Sequence, residues 1–123
     1  MDDVTAELDA EDTKLVTLAR GARERIRAAH GVAVRDETGR TYAAADAPLP
    51  SRPLTGFDVV AAQAWISGSR GLEAVVIVTG TPDQLPDPAP LIDLGGEQVE
   101  VLVCAEDGSV VRRSSTGALR TSA

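Results

Sequence analysis

Two nearly unbroken apolar runs constrain this chain most: residues 73–79 (EAVVIVT) and 99–105 (VEVLVCA). A strand with one wet face alternates apolar and polar side chains, so runs like these belong to strands covered on both faces. Thr81-Pro82 follows the first run and Asp107-Gly108 the second, and both are turn signals. Interior strands of this kind require helices on either side of the sheet.

The helices are legible as well. Leu15, Leu18, Ala19, Ala22, Ile26 and Ala29 fall on one stripe and predict a helix over 9–29. Asp9 is its N-cap, and Glu11 and Asp12 suit the positive end of the helix dipole. Arg20, Arg23, Arg25 and Arg27 lie mostly on the other face, and Gly31 is the stop signal. Residues 31–35 and 40–45 read as a hairpin around Asp36-Glu37-Thr38-Gly39. The proline-rich stretch 46–53 (DAPLPSRP) predicts an extended loop. A second helix opens at Leu54-Thr55, with Thr55 and Asp58 spaced as a capping box. Through Phe57, Val59, Val60, Ala61, Ala64, Trp65 and Ile66 it is apolar nearly all round, which predicts burial on several sides, centrally across the sheet. A short helical turn is expected around 91–94 and a last strand over 109–113. The order α-β-β-α-β-α-β-β predicts an α/β fold, a three-layer α-β-α sandwich with a mixed sheet. One domain spans 9–113, between a flexible acidic leader (1–8) and a mobile polar tail (114–123).

Composition narrows the functions. The net charge of -7 disfavours a phosphate-tracking surface, and three aromatic residues are too few for a base-stacking platform. No nucleic-acid partner is expected. No apolar run approaches the length of a membrane span, and the acidic start does not resemble a secretory signal. Cys104 and His30 are the only cysteine and histidine, so a disulfide or a thiolate–imidazole zinc cluster cannot form within one chain. Cysteine use points to the cytoplasm.

The element order and several local motifs resemble the cytidine deaminase family. His30-Gly31-Val32-Ala33-Val34 with Thr38-Gly39-Arg40 looks like the family hairpin, and Leu54-Thr55 like the entry to its second helix. Residues 73–79 and Thr81-Pro82 look like the strand and loop before the zinc cysteines. The similarity runs over roughly residues 12–111. It implies a zinc ligand at Phe57, a proton-shuttling glutamate at Val59, and zinc cysteines at Asp87 and Pro90. It also implies ribose-holding residues at Asp46 and Pro48. Every one of these positions is changed: Val59 cannot carry a proton, neither Phe57 nor Pro90 can donate a lone pair to zinc, and Asp87 alone could bind a metal only weakly, whereas deamination needs a zinc-activated water and a carboxylate to move protons.

The resemblance therefore implies a catalytically inactive member, with no catalytic residue, no metal and no cofactor, kept as a structural or regulatory interaction module. A relic pocket is expected around Asp46, Pro48, Phe57, Asp58, Val59, Asp87 and Pro90. The alternative reading is a non-catalytic binder of a nucleoside or small metabolite, which requires Asp46, Asp58 and Asp87 to converge. An active zinc-dependent deaminase ranks last. Asp58 and Asp87 could hold magnesium together, but each is better read as satisfying free N–H groups at a helix start. His30 reads as structural and Cys104 as a small buried hydrophobe. The family commonly forms dimers or tetramers, so a homo-oligomer is expected, alongside an unidentified protein partner at the arginine face or the proline loops.

Overall fold

The computed structural model describes residues 8–121. Five strands form one mixed sheet in the order β2-β1-β5-β6-β7. β1 (His30–Asp36) runs antiparallel to both β2 (Thr41–Ala45) and β5 (Leu72–Thr79). β5 is parallel to β6 (Glu100–Cys104), and β7 (Val110–Ser115) closes the edge antiparallel to β6. The parallel pair needs a crossover, which the short helix α3 (Ala89–Gly95) supplies.

Side-chain alternation along β5 divides the core into two halves. Val76 and Val78 join Leu15, Val16 and Ala19 of α1 (Ala10–Ile26) on one face. Val75 and Ile77 join Phe57 and Val60 of α2 (Gly56–Ile66) and Leu91 of α3 on the other. The expected three-layer α-β-α sandwich is therefore the fold, and its inner strand is dry on both faces.

α1 starts as expected: Asp9 Oδ1 accepts the Asp12 N–H at 2.8 Å. It stops at Ile26, three residues before the expected Ala29, with Arg27 in the left-handed region at φ 54°. The chain must reverse and enter β1 by His30, which leaves no room for another turn of helix. Gly31 serves a different purpose from the expected stop. A Cβ there would meet the Ala19 carbonyl oxygen and lie 2.6 Å from Arg23 Cβ. Glycine at this point lets α1 sit directly on β1.

Four other expectations are corrected. The extended loop over 46–53 is largely a small ribbon, β3 (Ala47–Leu49) paired with β4 (Arg52–Leu54). Pro48 faces Pro53 at a position that asks for no N–H from either, so the prolines do not break the ladder. The mobile tail is instead structured: Ser114 and Ser115 belong to β7, and α4 (Thr116–Thr121) follows. Leu119 packs into the α2-side core, and Thr116 Oγ1 donates to the Gly96 carbonyl at 2.6 Å. Of the expected leader, residues 1–7 lie outside the described residues, as do 122–123 of the tail, while Leu8 packs against the α1-side core. Finally, α2 lies over β1 and β2 beside α3 instead of centrally, and its outer face is open: Ala62, Trp65 and Ile66 are exposed. No described helix is long and apolar enough to cross a membrane.

Candidate functional site

The start of α2 is fixed by two carboxylates. Asp58 Oδ2 accepts the Thr55 N–H at 2.9 Å while Thr55 Oγ1 accepts the Asp58 N–H at 3.1 Å, which completes the expected capping box. Asp46 Oδ1 accepts the Gly56 N–H at 2.7 Å, and its Oδ2 accepts the His30 N–H at 3.2 Å. One side chain thus fastens the first strand to the second helix. Immediately behind this point Phe57 is fully buried among the core residues of β1, β5 and β6, where its burial stabilises the fold by about 2–3 kcal/mol. Val59, half-buried, packs against the same cluster.

The start of α3 is built differently. Pro88 is its N-cap, and Pro90 sits in the first turn, where no N–H is needed. Asp87 is exposed, and its Oδ1 accepts the Ala89 N–H at 2.9 Å. Asp58 and Asp87 therefore both act as terminus caps.

The expected relic-pocket residues are spread over three adjoining hollows and the core behind them. Asp46 and Pro48 line a cleft of about 330 Å³ with His30, Thr55, Leu85 and Pro86. Asp58 and Pro90 line a groove of about 660 Å³ that shares Pro53 and Leu54 with this cleft, and Asp87 lines a third hollow of about 790 Å³, which meets the cleft at Leu85 and Pro86. Phe57 and Val59 line none of these.

His30 is the one polar ring in the smallest of these clefts. Its Nδ1 lies 2.9 Å from Thr79 Oγ1, which also accepts the Thr81 N–H at 2.9 Å. Burial lowers its pKa; Asp46 works against this and Arg23 with it, so the imidazole is neutral at neutral pH. The threonine partners were not singled out in the sequence, although Thr79-Gly80-Thr81 at the end of an apolar strand is the local signal. Cys104 is buried in β6. Burial and the Asp107 charge push its thiol up to about 11, which leaves no reactive thiolate.

A sequence model described as cytidine deaminase-like matches residues 8–108. The chain belongs to the cytidine deaminase-like family. Its fold is similar to that of cytidine deaminase from Burkholderia pseudomallei (TM-score 0.72, 23% identity, 86% of this chain and 93% of that one). Cytidine deaminase from Mycobacterium leprae gives a TM-score of 0.67 at 20% identity, with 90% and 98% covered. The enzyme from Mycobacterium tuberculosis gives 0.68 at 21%, with 90% and 94% covered. At these identities the likeness is one of fold. No curated protein sequence matches the chain significantly.

The zinc implied by the cytidine deaminase resemblance does not fit the residues present. Phe57, Val59 and Pro90 have no lone pair to offer a metal, and Asp87 is held by the Ala89 amide. Among the described residues no three His, Cys, Asp or Glu side chains come together as ligands.

Proposed function

We propose that this cytidine deaminase-like chain is non-catalytic and works in the cytoplasm as a structural or regulatory interaction module that associates with itself. The packing of Phe57 into the core carries this reading. A zinc deaminase must keep that region polar and open, because its metal lowers the pKa of a bound water and its glutamate passes protons to the base. A phenylalanine that fills the space with core leaves neither a ligand nor room for one.

The alternative, a non-catalytic binder of a nucleoside or small metabolite, has less support. Of the three carboxylates it needs, Asp46 alone reaches the cleft beside His30, and both of its oxygens are engaged by backbone amides.

The test is to incubate purified protein with zinc, dialyse it, measure metal per chain by elemental analysis, and assay cytidine deamination. No stoichiometric zinc and no turnover are expected. About one zinc per chain with turnover, as a closed ligand set would give, would overturn the reading. Saturable heat on titration with cytidine, without turnover, would favour the binding alternative.

A further inference from the structure

α1 outruns the sheet on which it packs. Gly31, the second residue of β1, lies directly against Ala19 and Arg23. Ile26 continues the stripe of Leu15, Ala19 and Ala22, but it falls beyond this contact, past the edge of the sheet. It is therefore 58% exposed, where Leu15 and Ala19 are fully buried. A β-branched side chain in a helix is held to few rotamers, so little freedom is lost when a partner covers it.

The charges beside Ile26 indicate what covers it. Arg23 donates from Nη2 to Glu106 at 2.6 Å, and Arg20 lies 3.9 Å from Glu24, so the nearby carboxylates are taken. Arg25 and Arg27 are exposed, and among the described residues neither has an ion-pair partner. The helix dipole accounts for cations in the last turn, and Arg23 and Arg25 already supply them there. It does not account for Arg27, which follows the last turn at φ 54°, a conformation that glycine takes freely and a Cβ makes costly. Its side chain lines an open hollow of about 320 Å³ with Arg23, Glu24 and Ala28. Strain at an exposed cation, offset by no ion pair among the described residues, points to a contact outside the chain.

We propose that this end of α1 docks a short acidic segment of another protein, with an aliphatic side chain of that segment covering Ile26 and its flanking carboxylates pairing with Arg25 and Arg27. The proposal rests on the interaction-module reading and gives the arginine face its partner. A carboxylate matches the guanidinium fork with two parallel hydrogen bonds, which an exposed, unpaired arginine is free to make. Single-stranded nucleic acid fits the patch less well. It binds by stacking on aromatic rings, and Tyr42, Phe57 and Trp65 all lie outside α1. A long polyanion would also run off the patch onto a chain of net charge -7, which a short acidic segment need not do.

Fluorescence anisotropy tests this on the full chain, with circular dichroism to verify folding. The labelled probes are a peptide of about ten residues with leucines set between aspartates and glutamates, the same peptide with serine for leucine, and single-stranded RNA of about ten nucleotides. The leucine peptide should bind saturably, and more weakly as salt is raised. Arg25→Glu, Arg27→Glu and Ile26→Ser should each weaken it about tenfold or more. Lys14→Glu makes an equal change of charge near the other end of α1 and should leave binding within about twofold. Arg27→Gly should weaken binding while raising the thermal midpoint, a pairing that loss of fold cannot produce. A parent chain that does not bind the leucine peptide overturns the proposal. So does binding indifferent to Arg27→Gly, or serine peptide or RNA bound as tightly as the leucine peptide. The two readings fail separately: a zinc-free, inactive chain that ignores the peptide sinks only the docking site, whereas a zinc-loaded, active chain that binds it through Arg27 sinks only the non-catalytic reading.

Discussion

Asp46 holds the Gly56 amide at 2.7 Å and the His30 amide with its other oxygen, so one carboxylate joins the first residue of β1 to the first residue of α2. Hydrogen bonds to a charged acceptor contribute more than neutral ones, and removing the acceptor strands two partly buried donors. Asp46→Ala should therefore lower stability by about 2 kcal/mol, read as a lower urea midpoint at unchanged slope. Asp46→Asn keeps one acceptor oxygen and should fall between the parent and the alanine variant.

Acid should unfold this protein through Asp36. The carboxylate is fully buried. Burial alone would raise its pKa. The Ser69 hydroxyl at 2.5 Å and the Thr38 hydroxyl and Thr38 and Arg40 amides outweigh this and hold it well below the usual carboxylate range. A depressed folded-state pKa means the unfolded chain binds the proton more readily. The stabilisation is therefore complete above the ordinary carboxyl value near 3.8 and is lost as pH falls below it. His30 adds a shallower loss in the same direction, because its lowered pKa leaves the unfolded chain with more bound protons below about 6.5. Urea midpoints from pH 7 to pH 3 should fall throughout. His30→Gln should flatten the upper part of the curve and Asp36→Asn the lower.

Two backbone positions should respond in opposite directions. Gly31→Ala drives a methyl group into the Ala19 carbonyl and the Arg23 side chain, so α1 must lift from β1. A loss of about 3 kcal/mol is expected, at the upper end for an overpacked site. Arg27 holds a left-handed conformation with φ 54° at the end of α1. Glycine adopts that conformation without the Cβ penalty, so Arg27→Gly should raise stability by about 1 kcal/mol. Thermal melts of both variants check the pair of signs.

A carboxylate placed at Val59 should not confer cytidine deamination. Val59 packs against the α2-side core while keeping partial exposure, so a glutamate there loses apolar contact and gains no cation. A loss of about 2 kcal/mol is expected, with no cytidine turnover in the presence of zinc. An unchanged melting temperature would place Val59 outside the core, and any turnover would count against the non-catalytic reading.

What the sequence disclosed depended on how far each interaction reaches. The capping box of Thr55 and Asp58 lies within four residues and was legible in full, as were β5 and β6 from their apolar runs. Asp36 looked like an ordinary turn residue because its closest partner, Ser69, comes from 33 positions away. Gly31 looked like a helix stop because its real neighbour is the backbone of α1, which only tertiary packing brings there. α4 was missed because it contributes one core side chain, Leu119, too few to make a periodic pattern. The ribbon around Pro48 and Pro53 was missed because prolines argue against strands unless they fall where no ladder donor is required. At the candidate site the residue substitutions were plain in the sequence. Their spread over three adjoining hollows was not, since it depends on where α2 and α3 dock on the sheet.

Cys104 gives the molecule a built-in clock. Its thiol is sealed inside β6, between β5 and β7, and no other cysteine exists in the chain to blur the signal. An alkylating reagent attacks the thiolate, which the folded sheet both hides and disfavours. Labelling must therefore wait for the sheet to part. Its rate, compared with that of the urea-unfolded chain, measures how often the centre of the protein opens under conditions where every spectroscopic signal reports it as closed.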